Sequence, residues 1–201
     1  MLKKLFIFCL LGITGSLSAE VMVLDTQKSM IKWSGSKKWV GGSHNGTIGI
    51  SSGQLSVDGQ QLKEGKVIVD MNSIKNLDIE DQKYRKKLVG HLQSDDFFNT
   101  QKFPTSTFLI KSVKQNGTNV ELNGHLTIRD KTHPETMKAV LKKTKTGLVL
   151  SGKFSFDRKK YHVTYNNESL TSLAKDKIIK NEISLEFELV ANGSKKIKKP
   201  T

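Results

Sequence analysis

Cysteine is almost missing from this chain of 201 residues: there is one, Cys9, and it lies in an apolar N-terminal stretch. If that stretch is removed, no thiol remains, which excludes disulfides, thiol catalysis and thiolate metal sites. Proline is scarce too, at three residues. Nothing in the composition marks the chain as disordered or collagenous. No G-x-S-x-G nucleophile elbow and no G-x-x-x-x-G-K-[ST] phosphate loop is present. The one long apolar run, Leu5 to Ile13, is too short to span a bilayer. Acidic residues are few, 19 against 33 Lys and Arg.

That apolar run has the three parts of a secretory signal: basic Lys3 and Lys4, the run itself, then small residues through Ala19. The reading divides the chain into a signal peptide over 1–19, one domain over 20–191 and a basic tail over 192–201. It places the mature protein in the periplasm or outside the cell. Bulky residues before Cys9 argue against a lipid anchor there. Setting aside Lys3, Lys4, Lys195, Lys196, Lys198 and Lys199 leaves 27 basic residues against 19 acidic ones, a body charge of +8. Such a body favours transient contact with an anionic membrane surface. The lysines are scattered and the export signal argues against nucleic acid as a partner. A homodimer stays open.

The recurring pattern is alternation. Val120, Leu122, Gly124, Leu126 and Ile128 are separated by mostly polar residues, as are Leu148 to Phe156 and Ile183 to Leu189. Side chains on a strand alternate faces, so these segments are strands of an antiparallel sheet with one wet side. Further strands are expected around Ile31–Trp33, Thr47–Ile50, Val67–Met71, Thr107–Val113 and Thr136–Thr144. Gly41-Gly42, Asp58-Gly59, Asn116-Gly117 and Thr146-Gly147 supply turns. Roughly eight strands in about 170 residues fit a barrel or a sandwich, and the pattern does not separate the two. One helix is expected after Asp78 as its cap, with Tyr84, Leu88 and Leu92 as an apolar stripe packed on the sheet or across a barrel mouth. A second irregular stretch is expected over Tyr161–Lys175.

The histidines, His44, His91, His125, His133 and His162, lack the short spacing that places metal ligands on one helix face. His44 and His91 sit beside Gly-rich or helical segments and can meet in space. Asp95-Asp96 reads as a solvated turn.

The segment Leu88 to Phe108, with Ser94-x-Asp96-Phe97-Phe98 and then Pro104 and Phe108, resembles the central signature of the YceI-like family. Trp33 with Gly42-x-His44-x-Gly46, Gly124-x-Leu126-Thr127-Ile128 with Lys131-Thr132, and Asp157-Arg158-x-x-Tyr161 with Lys180-x-Glu182-Ile183 resemble three other family segments in the same order. Asp130 departs from the pattern, where glycine is common.

The resemblance implies an all-β fold, an extended eight-stranded antiparallel lipocalin-like β-barrel with one short helix. It also implies a tunnel for a long-chain amphiphile such as a polyisoprenoid, an isoprenoid quinone or a fatty amide. No catalytic residue, metal or cofactor comes with the resemblance, beyond a bound isoprenoid or acyl lipid. Tunnel walls are then expected among Val67, Val69, Met71, Phe108, Ile110, Leu122, Leu126, Ile128, Met137, Leu141, Leu148, Leu150, Phe154, Phe156, Leu185 and Phe187. Trp33, His44, Phe97, Phe98, Phe103, Arg129 and Arg158 are expected at its mouth. The leading expectation is non-catalytic binding, transport or sequestration of such a lipid. Two others compete with it: a His-centred, metal-dependent enzyme, and a barrel packed shut that works through its basic surface.

Overall fold

A computed structural model describes residues 19–39, 41–170 and 174–193. The expected signal segment up to Ser18, with Cys9, and the lysines of the basic tail lie outside the described residues.

Nine strands form the sheet: β1 (Glu20–Leu24), β2 (Met30–Ser36), β3 (Ser43–Asp58), β4 (Gln61–Asn76), β5 (Thr105–Asn116), β6 (Asn119–Ile128), β7 (Lys131–Lys143), β8 (Gly147–Asp157) and β9 (Glu182–Gly193). One helix, α1 (Gln82–Gln93), joins β4 to β5, and short 3-10 turns at Arg158–Tyr161 and Lys175–Lys177 punctuate the β8–β9 connection. From β3 to β9 each strand pairs antiparallel with the next. The ring closes because β1 and β2 occupy successive halves of one position between β3 and β9. Ile31 faces Ile48 on one side and Phe187 on the other. The result is a closed eight-position antiparallel barrel, so the choice between barrel and sandwich falls to the barrel.

The interruption between β1 and β2 is held locally. The Asp25 amide donates to the Val190 carbonyl at 2.8 Å, and the Val190 amide donates to Ser29 Oγ at 2.9 Å. Strands β3 and β4 are far longer than their apolar runs suggest. Register shifts between Thr47 and Gly49, Ile50 and Ser52, and Ser56 and Val57 let β3 bend around the barrel.

The alternation reads through to burial. Val120, Leu122, Leu126 and Ile128 are buried, whereas His125 points outward. The interior has two halves. At the end holding the β3–β4, β5–β6 and β7–β8 turns, Leu55, Leu148, Leu150 and Ala191 have at most 1% of their surface exposed and fill the barrel. Midway, the Phe108 ring rests over Gly124 and the Phe187 ring over Gly152; a Cβ at either glycine would fall 2.9 Å from the ring's Cζ. Beyond these rings, toward α1 and the β8–β9 connection, the interior opens.

The helix begins later than Asp78. Asp81 caps it, its carboxylate accepting from the Lys83 and Tyr84 amides at 2.7 and 3.0 Å. Asp78 is occupied elsewhere: it accepts from the Asn45 amide at 2.7 Å and from Asn76 Nδ2 at 2.6 Å. The expected apolar stripe is split, because Leu88 and Leu92 are half-buried and Tyr84 is exposed.

Candidate functional site

The open half of the barrel holds a cavity of about 650 Å³. Its walls are inward-facing strand residues, among them Ile31, Ile48, Val69, Ile74, Leu126 and Leu185. Its roof comes from two cap segments. The first is α1 with the turn after it, contributing Leu88, Leu92, Phe97 and Phe98; the second is the β8–β9 connection, contributing Val163, Tyr165 and Ile179. Polar groups are few. Ser106 lies in the wall, its hydroxyl donating to Met71 Sδ at 3.0 Å. Lys37, His44, His91, Arg158, Asn166 and Lys177 contribute from the cap and loop side.

The second cap is fastened by Arg158, which is 1% exposed. Its Nε donates to the Lys180 carbonyl at 3.0 Å, Nη1 to Val163 at 2.8 Å and Nη2 to Ile179 at 3.2 Å. Burial lowers the guanidinium's pKa from its ordinary value, against the opposing pull of Asp157 and Glu168. The return leg of this cap is also tied to the end of β2 and the loop after it, since the Lys180 amide donates to the Ser36 carbonyl and the Lys38 amide to the Ile178 carbonyl, both at 2.9 Å. Arg129 joins the two caps. Its Nη1 donates to the carbonyls of Phe97 at 3.0 Å and His162 at 3.1 Å, and Nη2 reaches Asp95 Oδ1 at 3.0 Å. The caps also touch directly: the His91 ring meets Phe97 and Tyr165 edge-on, with centroids 4.9 and 4.7 Å apart.

Tyr161 explains why the cavity stops short of β7. Fully buried, it packs edge-on against Phe156 and His133 and donates its hydroxyl to Glu135 Oε1 at 3.1 Å. Burial raises the phenol's pKa well above its ordinary value, and the adjacent Glu135 adds to this.

Of the residues expected at the tunnel, Val69, Met71, Leu126, Ile128, Phe156 and Leu185 line the cavity, together with Trp33, His44, Phe97, Phe98 and Arg158 from the expected mouth. The structure places the others elsewhere. Val67, Ile110, Leu122, Met137, Leu141, Leu148 and Leu150 belong to the buried core outside the cavity, and Phe108, Phe154 and Phe187 are buried without lining it. Phe103 sits under the Arg129 guanidinium, 5.7 Å from its ring centroid, and neither residue lines the cavity. Ile31 and Ile48 are lining residues that alternation with Trp33 and Ile50 does signal. Val163, Tyr165 and Ile179 lie in an aperiodic segment and carry no such signal.

His44 and His91 line the same cavity but have separate partners. His44 Nδ1 is 2.8 Å from Asp78 Oδ2, and His91 Nε2 is 3.0 Å from Asp96 Oδ2. Among the described residues, no three His, Cys, Asp or Glu side chains converge as a metal site. Partial burial of Asp78 works against its charge. Donation from the Asn45 amide, His44 and Asn76 outweighs this and holds its carboxyl below the ordinary carboxylate value. A carboxyl depressed in the folded state stabilises the fold above its unfolded pKa, and that stabilisation is lost as pH falls through the folded value. Asp78→Asn is therefore expected to lower Tm at pH 6. The gap to the parent protein should narrow as the pH drops below about 4, near the unfolded pKa. Thermal melts across that range measure it, and a gap that stays constant would contradict the assignment.

Comparison with known proteins agrees with this architecture. The family described as YceI-like domain matches residues 22–191. A Shewanella denitrificans protein named UPF0312 is 32% identical over 144 residues, covering 69% of this chain and 73% of that protein. A Pseudomonas aeruginosa UPF0312 protein is 40% identical over 76 residues, but the match spans 38% of this chain and 36% of that relative's length. Among solved structures, Burkholderia cenocepacia BcnA superposes with a TM-score of 0.64 at 18% identity, covering 83% of this chain and 98% of that one. A polyisoprenoid binding domain from Saccharophagus degradans superposes with a TM-score of 0.62 at 15% identity, covering 88% and 100%. These two likenesses are of fold, whereas the match over residues 22–191 is of sequence, and on that ground the chain belongs to the YceI-like domain family.

Proposed function

We propose that the protein binds one long-chain amphiphile, without catalysis, and holds its chain inside the barrel. The observation that carries this reading is the cavity of about 650 Å³, walled by aliphatic and aromatic side chains, with most of its polar groups on the cap and loop side. That volume falls within the range of small-molecule sites. Each buried CH₂ of a ligand contributes about 0.8 kcal/mol. Ten such groups give about 8 kcal/mol before ordering costs, enough without any dedicated polar contact. A polyisoprenoid, an isoprenoid quinone and a fatty amide all satisfy this chemistry. The polyisoprenoid binding domain of Saccharophagus degradans, similar in fold, supports the first. Such a carrier fits an exported protein, consistent with residues 1–19 being removed as a signal.

Protein purified from its host and extracted with organic solvent should release a lipid close to one per chain by mass spectrometry. Emptied protein should take up a quinone or polyprenyl phosphate in a fluorescence titration. Protein that yields no lipid and ignores both probes would refute the reading.

A further inference from the structure

Among the described residues, six large hydrophobic side chains are exposed, and four of them are carried by segments at the cavity end of the barrel. Trp39 (61% exposed) is in the β2–β3 loop, Leu77 (63%) in the β4–α1 junction, Tyr84 (64%) in the first turn of α1 and Leu170 (39%) in the β8–β9 connection. The other two, Val23 and Met30, lie on β1 and β2. The four carriers are adjacent segments. The Leu77 amide donates to the Asn45 carbonyl at 3.0 Å, Lys38 bonds Ile178, and Lys38 Nζ pairs with Glu168 at 2.8 Å. This is also the end where the cavity lies, roofed by α1 and the β8–β9 connection.

The charge of the same end is unbalanced. Between Gln82 and Gln93, α1 carries Lys83, Arg85, Lys86 and Lys87 and no acidic residue, and none of its residues is buried. None of these four cations, nor Lys37, Lys175 or Lys177, has a carboxylate within 4 Å among the described residues. Of the nearby acids, Asp95 and Glu168 pair with Arg129 and Lys38, Asp78 and Asp96 are hydrogen-bonded to His44 and His91, and Asp81 caps α1. Glu80 and Asp176 remain outward. Exposed Trp and Tyr beside aliphatic side chains and unpaired lysines form the combination that settles at a bilayer–water interface with anionic headgroups.

We propose that this end of the barrel docks on the surface of an anionic bilayer, with Trp39, Leu77, Tyr84 and Leu170 entering the interface and the lysines of α1 over the headgroups. Docking there sets the cavity against the phase that holds amphiphiles. The purpose of docking rests on the amphiphile-binding reading, but its measurement does not. Vesicles free of any candidate ligand report the surface, and solvent extraction reports the cavity, so either result can fail alone.

The test is sedimentation of the mature chain with vesicles of phosphatidylglycerol and phosphatidylcholine, compared with phosphatidylcholine alone. Binding is expected to the anionic vesicles, at least tenfold weaker to the neutral ones and falling steeply with salt. A variant carrying W39S, L77S, Y84S and L170S should bind at least tenfold more weakly with its Tm unchanged. K83E with K86E and K87E should do the same. A chain ending at Gly193 should still bind, separating this face from the basic tail. In a W33F background Trp39 is the one remaining tryptophan, and its emission should shift to the blue on anionic vesicles. Absence of binding to anionic vesicles overturns the proposal. So does binding that survives the fourfold serine variant, or that vanishes with the tail. A Trp39 shift that grows with protein concentration and needs no vesicle would assign the patch to a second copy of the chain instead.

Discussion

Val69→Trp should reduce uptake of a quinone or polyprenyl probe at least tenfold, about 1.4 kcal/mol or more of binding energy, while leaving the protein folded. Val69 lies on β4, half-buried, with its side chain on the cavity wall. A larger ring there has empty volume to enter, so the usual cost of overpacking is largely avoided. The contrast is Leu150→Ala in the packed half. Leu150 has none of its surface exposed and does not touch the cavity. Truncating it should cost about 2–5 kcal/mol of stability and leave probe affinity within twofold. Urea unfolding and a fluorescence titration on the two variants separate the roles. If Val69→Trp binds as the parent does, the ligand does not occupy this cavity.

Arg158→Met should destabilise the fold by about 3–5 kcal/mol, although no carboxylate among the described residues forms an ion pair with Arg158, and Asp157 and Glu168 act on it only at longer range. Three carbonyls, of Val163, Ile179 and Lys180, lose their donor. A buried polar group left unsatisfied costs about 1–3 kcal/mol. Water that enters as the cap loosens reclaims part of that sum. The variant should therefore also expose the β8–β9 connection to limited proteolysis before global unfolding. Arg158→Lys should rescue less than half of the loss, because a single ammonium cannot reach three carbonyls set around a planar fork. An unfolding midpoint unchanged in Arg158→Met would show that the carbonyls are satisfied by other means.

The barrel was legible wherever the strands are two-faced. Val120–Ile128 and Ile183–Leu189 announce their inner residues by alternation, and both faces come out as read. The long β3 is harder. Its sequence is rich in Gly and Ser, and its register shifts break the period of two, so only Thr47–Ile50 reads as strand. Strand β1 is five residues long and gave no turn signal of its own. Asp78 reads as the cap in one dimension; the Asn45 amide, from a strand more than thirty residues earlier, takes it, and Asp81 is left to cap the helix.

The cavity follows the same logic. Alternation marks a residue as inward but does not say at which height along the barrel it sits. Leu122 and Leu126 have the same signal, yet one lies in the packed half and the other on the cavity wall. The division between them is set by Phe108 and Phe187 over their glycines, a pairing across neighbouring strands that no single segment displays. Of the two arginines expected at the mouth, Arg158 lines the cavity and Arg129 does not. Both guanidiniums are used to hold backbone of the caps, which becomes visible only when residues 95–97, 162–163 and 179–180 are brought to them.

The closure of the ring through β9 has a consequence for how the molecule comes into being. Ile31 finds Phe187 from the opposite end of the barrel sequence, and until Glu182–Gly193 has emerged β2 has one neighbour and β8 has a bare edge. A nascent chain short of that strand is a curled ribbon open along one side, slow to settle and exposed to pairing with other ribbons. Sealing thus waits for that strand, and an enclosed chamber exists only once Glu182–Gly193 has joined both neighbours.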